Sequence, residues 1–526
     1  MEILRVDRLK FSYPNNLKNA LDDINFTVNE GDFILLCGQS GCGKSTLLKH
    51  LKPELSPYGK RSGEIYYYSK DIKAYSQKQL ASEIGYVLQN PESQIVTDKV
   101  WHELAFGLEN MGLKPKEITV RMAEMATFFG IEEWLDKKTN ELSGGQKQML
   151  NLASIMAMHP EILILDEPTS QLDPVSAETF LTTLDRINKE LGVTVVITEH
   201  RLEEIFPVAD KVVVMDDGEL VAVSSPSEIR ELDVMKSSLP SAMRIYSKIK
   251  KGDCPVTVRE GRKWLREILD NKIAEIRKEQ KKKPEEFSVE IKDVFFRYSK
   301  NGEDILKDIS LKIPKGEIFA ITGGNGAGKS TLLRIIAKTE GPYKGKVKIP
   351  KNLQIASLPQ DARLIFTEKT VELNLKKICS TEEKINEIAK LMGIQKLLSK
   401  HPYDLSGGEC QKAAMAMLLL KNPDIMLFDE PTKGLDNDFK EGFAEILRSL
   451  KSKGKTIVMV SHDIEFLAKH ADYCAMVFDG KISSYSTARE FFLSNVFYTT
   501  SACRIARGII KNALTCEDVI ECLKAK

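Results

Sequence analysis

The sequence predicts an α/β protein made of two tandem domains, each with a mainly parallel core sheet, an antiparallel β portion and a helical portion. Three observations carry this expectation. First, Gly38, Gln39, Ser40, Gly41, Cys42, Gly43, Lys44 and Ser45 follow the apolar run Phe33-Ile34-Leu35-Leu36-Cys37 and lead into Thr46-Leu47-Leu48, which reads as strand, glycine-rich loop and helix start. Second, the device recurs as Gly323, Gly324, Asn325, Gly326, Ala327, Gly328, Lys329 and Ser330, between the apolar run 318–322 and Thr331-Leu332-Leu333, so the chain carries an internal duplication. Third, 526 residues exceed what one compact core accommodates.

Each loop has a chemical meaning. Backbone N–H groups turned inward by the glycines cradle a polyphosphate, Lys44 and Lys329 reach its outer phosphates, and the Ser45 and Ser330 hydroxyls can hold Mg²⁺. The helix opening at each loop aims its positive end at the same anion.

Bulk composition narrows the classes. Lys+Arg number 76 against 75 Asp+Glu, a net charge of +1, so no global field draws the protein to nucleic acid or lipid. No apolar run approaches the ~18 residues needed to span a bilayer, and the start, Met1-Glu2-Ile3-Leu4-Arg5-Val6-Asp7, lacks the pattern of a signal peptide. The expectation is a cytoplasmic protein that meets a membrane through partners. Nine cysteines without a C-x-x-C pair read as reduced thiols, mostly core filler.

In chain order, residues 5–11 and 24–28 alternate apolar and polar, as half-exposed antiparallel strands do. Tyr13, just before a turn, serves either as a stacking face for a purine base or as a strand-end packing residue. Apolar residues 84–88 end at Gln89, whose amide can touch a metal ion. Residues 100–110 have helical periodicity. Leu142-Ser143-Gly144-Gly145-Gln146 opens a helix running to Met158, and its free N–H groups are a second anion site. Ile162 to Leu165 reads as a buried parallel strand ending in Asp166 and Glu167, where doubly wound folds bind ligands. Asp166 can hold Mg²⁺ through water and Glu167 can take a proton from an attacking water. A further buried strand, 194–198, closes on Glu199 and His200.

The second half repeats the landmarks: Tyr298, Lys329, Gln360, then Ser406, Gly407, Gly408 and Glu409, then Asp429, Glu430 and His462. Ser143 and Glu167 are 24 residues apart, as are Ser406 and Glu430. The span from cradle lysine to glutamine is 45 residues in the first copy and 31 in the second, so the copies differ where the antiparallel portion meets the helices.

In these motifs the chain resembles the ATP-binding cassette (ABC) family, whose Walker A, Q-loop, signature, Walker B, D-loop and switch histidine all occur twice, in order. The resemblance implies two tandem P-loop NTPase domains that use ATP and Mg²⁺. It assigns nucleotide binding to Tyr13, residues 38–46 including Thr46, Tyr298 and residues 323–331 including Thr331. Metal binding falls to Ser45, Gln89, Asp166, Ser330, Gln360 and Asp429, and catalysis to Glu167, Glu430, His200 and His462. In that family each ATP lies between one Walker A and the opposite signature, so both halves of each site are present in one chain and no homodimer is required. Departures are mild: Glu409 stands where the signature usually has Gln, and the first D-loop reads Ser170-Gln171-Leu172-Asp173. Two hydrolytically competent sites are expected. Cys42, inside the first cradle, is either a small filler or a thiol whose alkylation blocks that site.

Residues 89–110 look like the post-Q-loop region of energy-coupling factor (ECF) importer ATPases, in which a groove receives the coupling helix of a transmembrane partner; residues 359–366 match it poorly. Residues 254–265 and the tail from Phe491 are also similar to fused ECF forms. The expected partners are therefore an ECF transmembrane coupling component and a membrane substrate-binding component. The expected layout is a first ABC domain over 1–236, a linker over 237–286, a second ABC domain over 287–490 and a helical tail over 491–526. The lysine run 281–283 reads as a solvated linker, and the aromatic cluster of 491–498 as packing on the second domain. The rival class is a soluble twin-cassette ATPase acting on ribosomes or nucleic acid through that basic linker. Glu275, Glu279, Glu285 and Glu286 among the lysines, and the lack of an aromatic-plus-basic pattern, count against it.

Overall fold

The computed structural model describes residues 1–14, 18–199, 202–229, 235, 238–276, 284–432, 435 and 437–525. It forms two compact units, Met1–Trp264 and Leu265–Lys526. His200 and the lysine run 281–283 lie outside the described residues.

In the first unit a six-stranded sheet runs in the order 219–224, 211–216, 33–38, 194–198, 162–166, 84–87. Every neighbouring pair is parallel except the edge strand Glu219–Ser224 against Lys211–Asp216. Strands 162–166 and 194–198 are buried at every position, as strands covered on both faces must be. The second unit repeats the order: 481–487, 473–478, 318–322, 456–460, 425–429, 355–358. This places the ends of strands 33–38, 162–166 and 194–198 side by side, so the cradle, the acid pair and Thr198 converge.

The alternating strands behave as expected. Glu2–Ser12 pairs antiparallel with Leu21–Asn29 and with Lys60–Tyr67, and Phe287–Phe296 pairs likewise with Leu306–Pro314 and Lys344–Lys348. The first of these sheets gains a fourth strand, Lys70–Asp71, which the second lacks. The longer span between Lys44 and Gln89 is used here. It also holds the helix Gln77–Glu83, whose capping residue Ser76 accepts from Gln79 N while Gln79 accepts from Ser76 N, satisfying two otherwise orphan donors.

The stretch 237–286 is not featureless. Helix Ser241–Ile249 buries Ala242, Met243, Ile245 and Tyr246, with Met243 in the core of the first unit, and Cys254 and Val256 pack on that core. Helix Val258–Ile268 follows, its Trp264 Nε1 donating to Lys251 O at 2.7 Å. Ala274–Glu275 then pairs in parallel with Ile510–Lys511 of the tail. The tail itself carries helices Ser501–Ala506 and Cys516–Lys524. Phe491 and Phe492 sit in the core of the second unit, and Leu493 and Tyr498 pack on it. Phe497 is 71% exposed.

All nine cysteines are free, six of them buried. Burial pushes the Cys37 thiol up to about 12, consistent with inert filling. Among the described residues no helix is long and apolar enough to cross a membrane.

Candidate active sites

The first loop is shaped by glycines that nothing larger can replace. Gly38 has φ 146° and a Cβ there would stand 2.0 Å from Met215 O; Gly43 has φ 104°, and its Cβ would meet Ala20 O at 2.4 Å. Lys44 Nζ, buried, donates to Gly38 O at 2.9 Å and Gln39 O at 2.8 Å, curling back over the loop. Gln39, Ser40 and Gly41 are exposed at its rim. The second loop copies this: Lys329 Nζ donates to Gly323 O at 3.0 Å and Gly324 O at 2.8 Å, while Asn325 and Gly326 are exposed. Helices Lys44–His50 and Lys329–Ile336 start at once after each loop.

Behind the first loop, Ser45 Oγ donates to Asp166 Oδ1 at 2.9 Å, and Thr198 Oγ1 donates to the same oxygen at 2.9 Å. Glu167 N reaches Thr198 O at 3.1 Å and Thr198 Oγ1 at 3.0 Å. Glu167 has a left-handed backbone, φ 45°, and Glu430 matches it at φ 53°. Strain of this kind persists only where surroundings impose it; here the strand-to-turn junction does so, and it swings the second acid off the buried strand. Burial first, and the neighbouring Glu167 charge second, raise the Asp166 carboxyl above its usual range.

Each of the acids Glu167 and Glu430 meets a polar side chain among the described residues. Gln89 Nε2 donates to Glu167 Oε2 at 2.7 Å. In the second site His462 Nε2 lies 3.4 Å from Glu430 Oε1, and His462 N donates to Glu430 Oε2 at 3.2 Å. Asp429 is buried beside it and Gln360 is exposed at the end of strand Ile355–Leu358. The fold thus brings together Lys44, Ser45, Gln89, Asp166 and Glu167, and separately Glu430 and His462. The donor set at Ser45 and Asp166 is all oxygen, as a hard divalent cation that keeps several waters requires, so these residues fit Mg²⁺.

Tyr13 and Tyr298 occupy matching places. Tyr13 OH is 3.0 Å from Thr46 Oγ1 and its ring meets Phe11 edge-on at 4.9 Å; Tyr298 OH is 3.0 Å from Thr331 Oγ1 and its ring meets Phe296 at 4.9 Å. Arg334 Nη1 adds a bond to Tyr298 OH at 3.1 Å. Cys42 is 4% exposed and burial raises its thiol. It is therefore the small filler of the two readings, and the expectation of selective alkylation is withdrawn: a buried, protonated thiol is a poor nucleophile.

Ser143 and Ser406 cap helices Gly144–Met156 and Gly407–Lys421. Ser143 N donates to Gln146 Oε1 at 2.9 Å and Gln146 N returns to Ser143 Oγ at 3.3 Å. Ser406 N donates to Glu409 Oε2 at 2.9 Å and Glu409 N returns to Ser406 Oγ at 3.3 Å. The Glu in the second motif therefore does locally what the Gln does in the first. Gly145 is held close to Ser176, whose Oγ would lie 2.9 Å from a Cβ.

Several residues escaped sequence reasoning. Thr198 ties both acids together, and only its place at a strand end hinted at it. Glu199 Oε1 accepts from Thr169 N at 2.9 Å, fixing the turn after Glu167. Buried Glu103 accepts from Val96 N, Thr97 N and Thr97 Oγ1, and buried Asn374 accepts from Thr367 N and Glu368 N. Each locks the loop downstream of its glutamine to the next helix.

Comparison with known proteins agrees with this geometry. The ABC transporter family model matches residues 21–170 and 306–433, and an AAA domain model matches the narrower stretch 399–468. A protein of Bacillus cereus (strain ATCC 10987 / NRS 248), described as an ABC transporter ATP-binding protein, is 41% identical over 537 residues, covering 98% of this chain and 97% of the relative. A Methanosarcina mazei protein with the same description is 34% identical over 533 residues, covering 94% and 90%. Among solved structures, a model of ribosome-bound archaeal Pelota and ABCE1 contains a chain that matches at TM-score 0.64 and 24% identity, covering 92% of this chain and 79% of that one, a likeness of fold alone.

Proposed function

The chain belongs to the ABC transporter family and is an ATPase with two fused cassettes; from that premise we propose that it is the motor subunit of an ECF-type importer, working from the cytoplasmic face of the membrane through integral partners. The observation that carries the reading is the surface just beyond Gln89. The Glu103 carboxylate fixes that loop, and Val96, Trp101 and Phe106 project from it and from helix Val100–Asn110 with 67%, 38% and 42% exposure. Apolar side chains on a pre-organised surface suit an amphipathic partner helix, and this is the stretch whose sequence resembles ECF ATPases. Because Gln89 also bonds Glu167, a helix seated there is mechanically tied to the hydrolytic acid. In the second cassette Asn374 locks the loop that follows Leu364, 74% exposed, to the helix Val371–Ile378 that carries Leu373, 48% exposed, so the two surfaces suit different helices.

For hydrolysis, Lys44 and Lys329 and the loop amides bind and orient the phosphates of ATP. Glu167 and Glu430 orient the attacking water and accept its proton, and Gln89 and His462 hold those carboxylates in place. Mg²⁺, held by Ser45 and Asp166 and by Ser330 and Asp429, supplies charge neutralisation at the outer phosphates when bound. By the family pattern each signature, Ser143 to Gln146 and Ser406 to Glu409, completes the opposite cassette's site. His200 takes the catalytic role that the ABC resemblance gives it.

The test is affinity purification of the full chain from its own membranes. Integral membrane proteins that copurify and raise ATP turnover support the reading. Recovery with ribosomes or nucleic acid instead, and no integral partner, overturns it.

A further inference from the structure

The antiparallel sheet of the second cassette ends on an open edge. Its strands run in the order 306–314, 287–296, 344–348, and among the described residues nothing pairs with the far side of Lys344–Lys348. The first cassette covers only the end of its matching strand Lys60–Tyr67, where Tyr66 and Tyr67 pair with Asp71 and Lys70.

The open strand reads Lys344-Gly345-Lys346-Val347-Lys348. Period two puts Lys346 and Lys348 on one face, Lys344 lies beyond the register shift at Gly345, whose φ is 91°, and all three lysines are exposed. The register sets Lys346 directly across from Lys292, and like charges so placed destabilise a sheet. The first cassette has a like-charged pair at the corresponding step, Asp7 across from Glu64, but there each acid has its own cation. Arg8 Nε lies 3.2 Å from Asp7 and Lys73 Nζ 3.0 Å from Glu64. Lys292, Lys346 and Lys348 make no ion pair among the described residues, and Lys344 Nζ rests over the Phe295 ring, 4.6 Å from its centroid. The second sheet therefore leaves the whole of its outer strand unpaired among the described residues, and although Glu290 stands across from Lys348, Lys292 and Lys346 face each other without the ion pairs that the first sheet gives Asp7 and Glu64. Lysines on an edge discourage pairing with a second copy of the same strand, and the same charges select a partner of opposite sign.

We propose that the edge Lys344–Lys348 takes an extended acidic polypeptide segment as a fourth strand, with carboxylates at alternate positions facing Lys346 and Lys348 and a further one near Lys344. Main-chain hydrogen bonds along the edge give affinity, and the charge pattern gives register.

The experiment titrates the full-length protein with a short labelled peptide of alternating Glu and Thr, against a control with Lys in place of Glu. Expected are saturable binding of the acidic peptide only, weakening as salt screens the charges, and new hydrogen-exchange protection confined to 344–348. Combined Lys344→Glu, Lys346→Glu and Lys348→Glu should weaken binding by about tenfold or more while ATP turnover is unchanged; Lys346→Gln gives a milder variant should the triple change fail to fold. Absence of peptide binding, or binding that neither variant alters, overturns the proposal. Tighter binding of anionic lipid vesicles or of a single-stranded RNA oligonucleotide through the same lysines overturns it as well, by assigning the edge to another class of partner.

Discussion

The two cassettes carry the same phosphate loop to within tenths of an ångström in their lysine contacts, yet they differ in elements farther from it. Among the described residues, Gln89 Nε2 donates to Glu167 at 2.7 Å in the first, and His462 lies 3.4 Å from Glu430 in the second. The first anchors its post-glutamine loop on a charged side chain, Glu103, the second on the neutral Asn374. The first adds a two-residue fourth strand to its antiparallel sheet and the second has none among the described residues. The tyrosine–threonine pairs and the capped signature openings are duplicated faithfully, whereas the post-glutamine loops and the antiparallel sheets have diverged.

The strongest way to break this picture is to remove the acids one at a time. Glu167→Gln and Glu430→Gln keep shape and hydrogen bonding but cannot accept a proton, and each should lower steady-state phosphate release by about a hundredfold or more. ATP affinity should be retained, because the cradle contacts of Lys44 and Lys329 are untouched. Full turnover in either variant would show that only one site does the chemistry and that the likeness of the loops is inherited shape.

A second difference lies beneath the Tyr13 platform. Six residues after Lys44 stands His50, and six after Lys329 stands Ile335. His50 is 1% exposed, neither ring nitrogen meets a hydrogen-bond partner, and its ring packs edge-on against Phe11 at 4.6 Å. Burial, and secondarily the Arg61 charge, lower its pKa from 6.5 to about 4. The folded state therefore keeps His50 neutral while the unfolded chain protonates near 6.5. Its contribution is complete above about pH 6.5 and is lost as pH falls towards 4, on the order of 2–3 kcal/mol. His470, in the second unit, is lowered to about 4 as well, so both units weaken in acid. His50→Ile should flatten the acid limb of the first unit's unfolding alone, read by limited proteolysis at pH 4.5 and 7. An unchanged acid limb would mean that the buried imidazole is not what titrates.

How much of this was legible beforehand follows from range. The cradles, the two acid-ended strands and the helix openings at Ser143 and Ser406 are local patterns, and they appear in the structure where the residues placed them. Helix Val258–Ile268 was obscured because its buried residues, Gly261, Trp264 and Leu265, are sparse among charged neighbours. Pairing of Ala274 with Ile510 joins segments more than two hundred residues apart, and no local pattern announces that. The same holds for Thr198, whose hydroxyl matters only because the sheet order sets strand 194–198 beside strand 162–166. Cys42 could be read either way until its burial was known.

The finest comparison is between the two signature openings. Ser143 with Gln146 and Ser406 with Glu409 form the same reciprocal pair at distances that agree for each bond, 2.9 and 3.3 Å. Removing the capping hydroxyl by Ser406→Ala frees the Glu409 N–H of its partner and should cost about 1 kcal/mol of stability in the second cassette. Glu409→Gln keeps an acceptor at the same place, so the box survives and only the favourable meeting of a carboxylate with the helix's positive end is lost. The expected change is a few tenths of a kcal/mol, measured by denaturant titration. A loss from Glu409→Gln as large as that from Ser406→Ala would show that the negative charge, and not the bond, is what the second helix requires. The departure of this motif from its counterpart would then have to be read through the 3.8 Å approach of Lys400 Nζ to Glu409 Oε1, a contact for which Gln146 carries no charge.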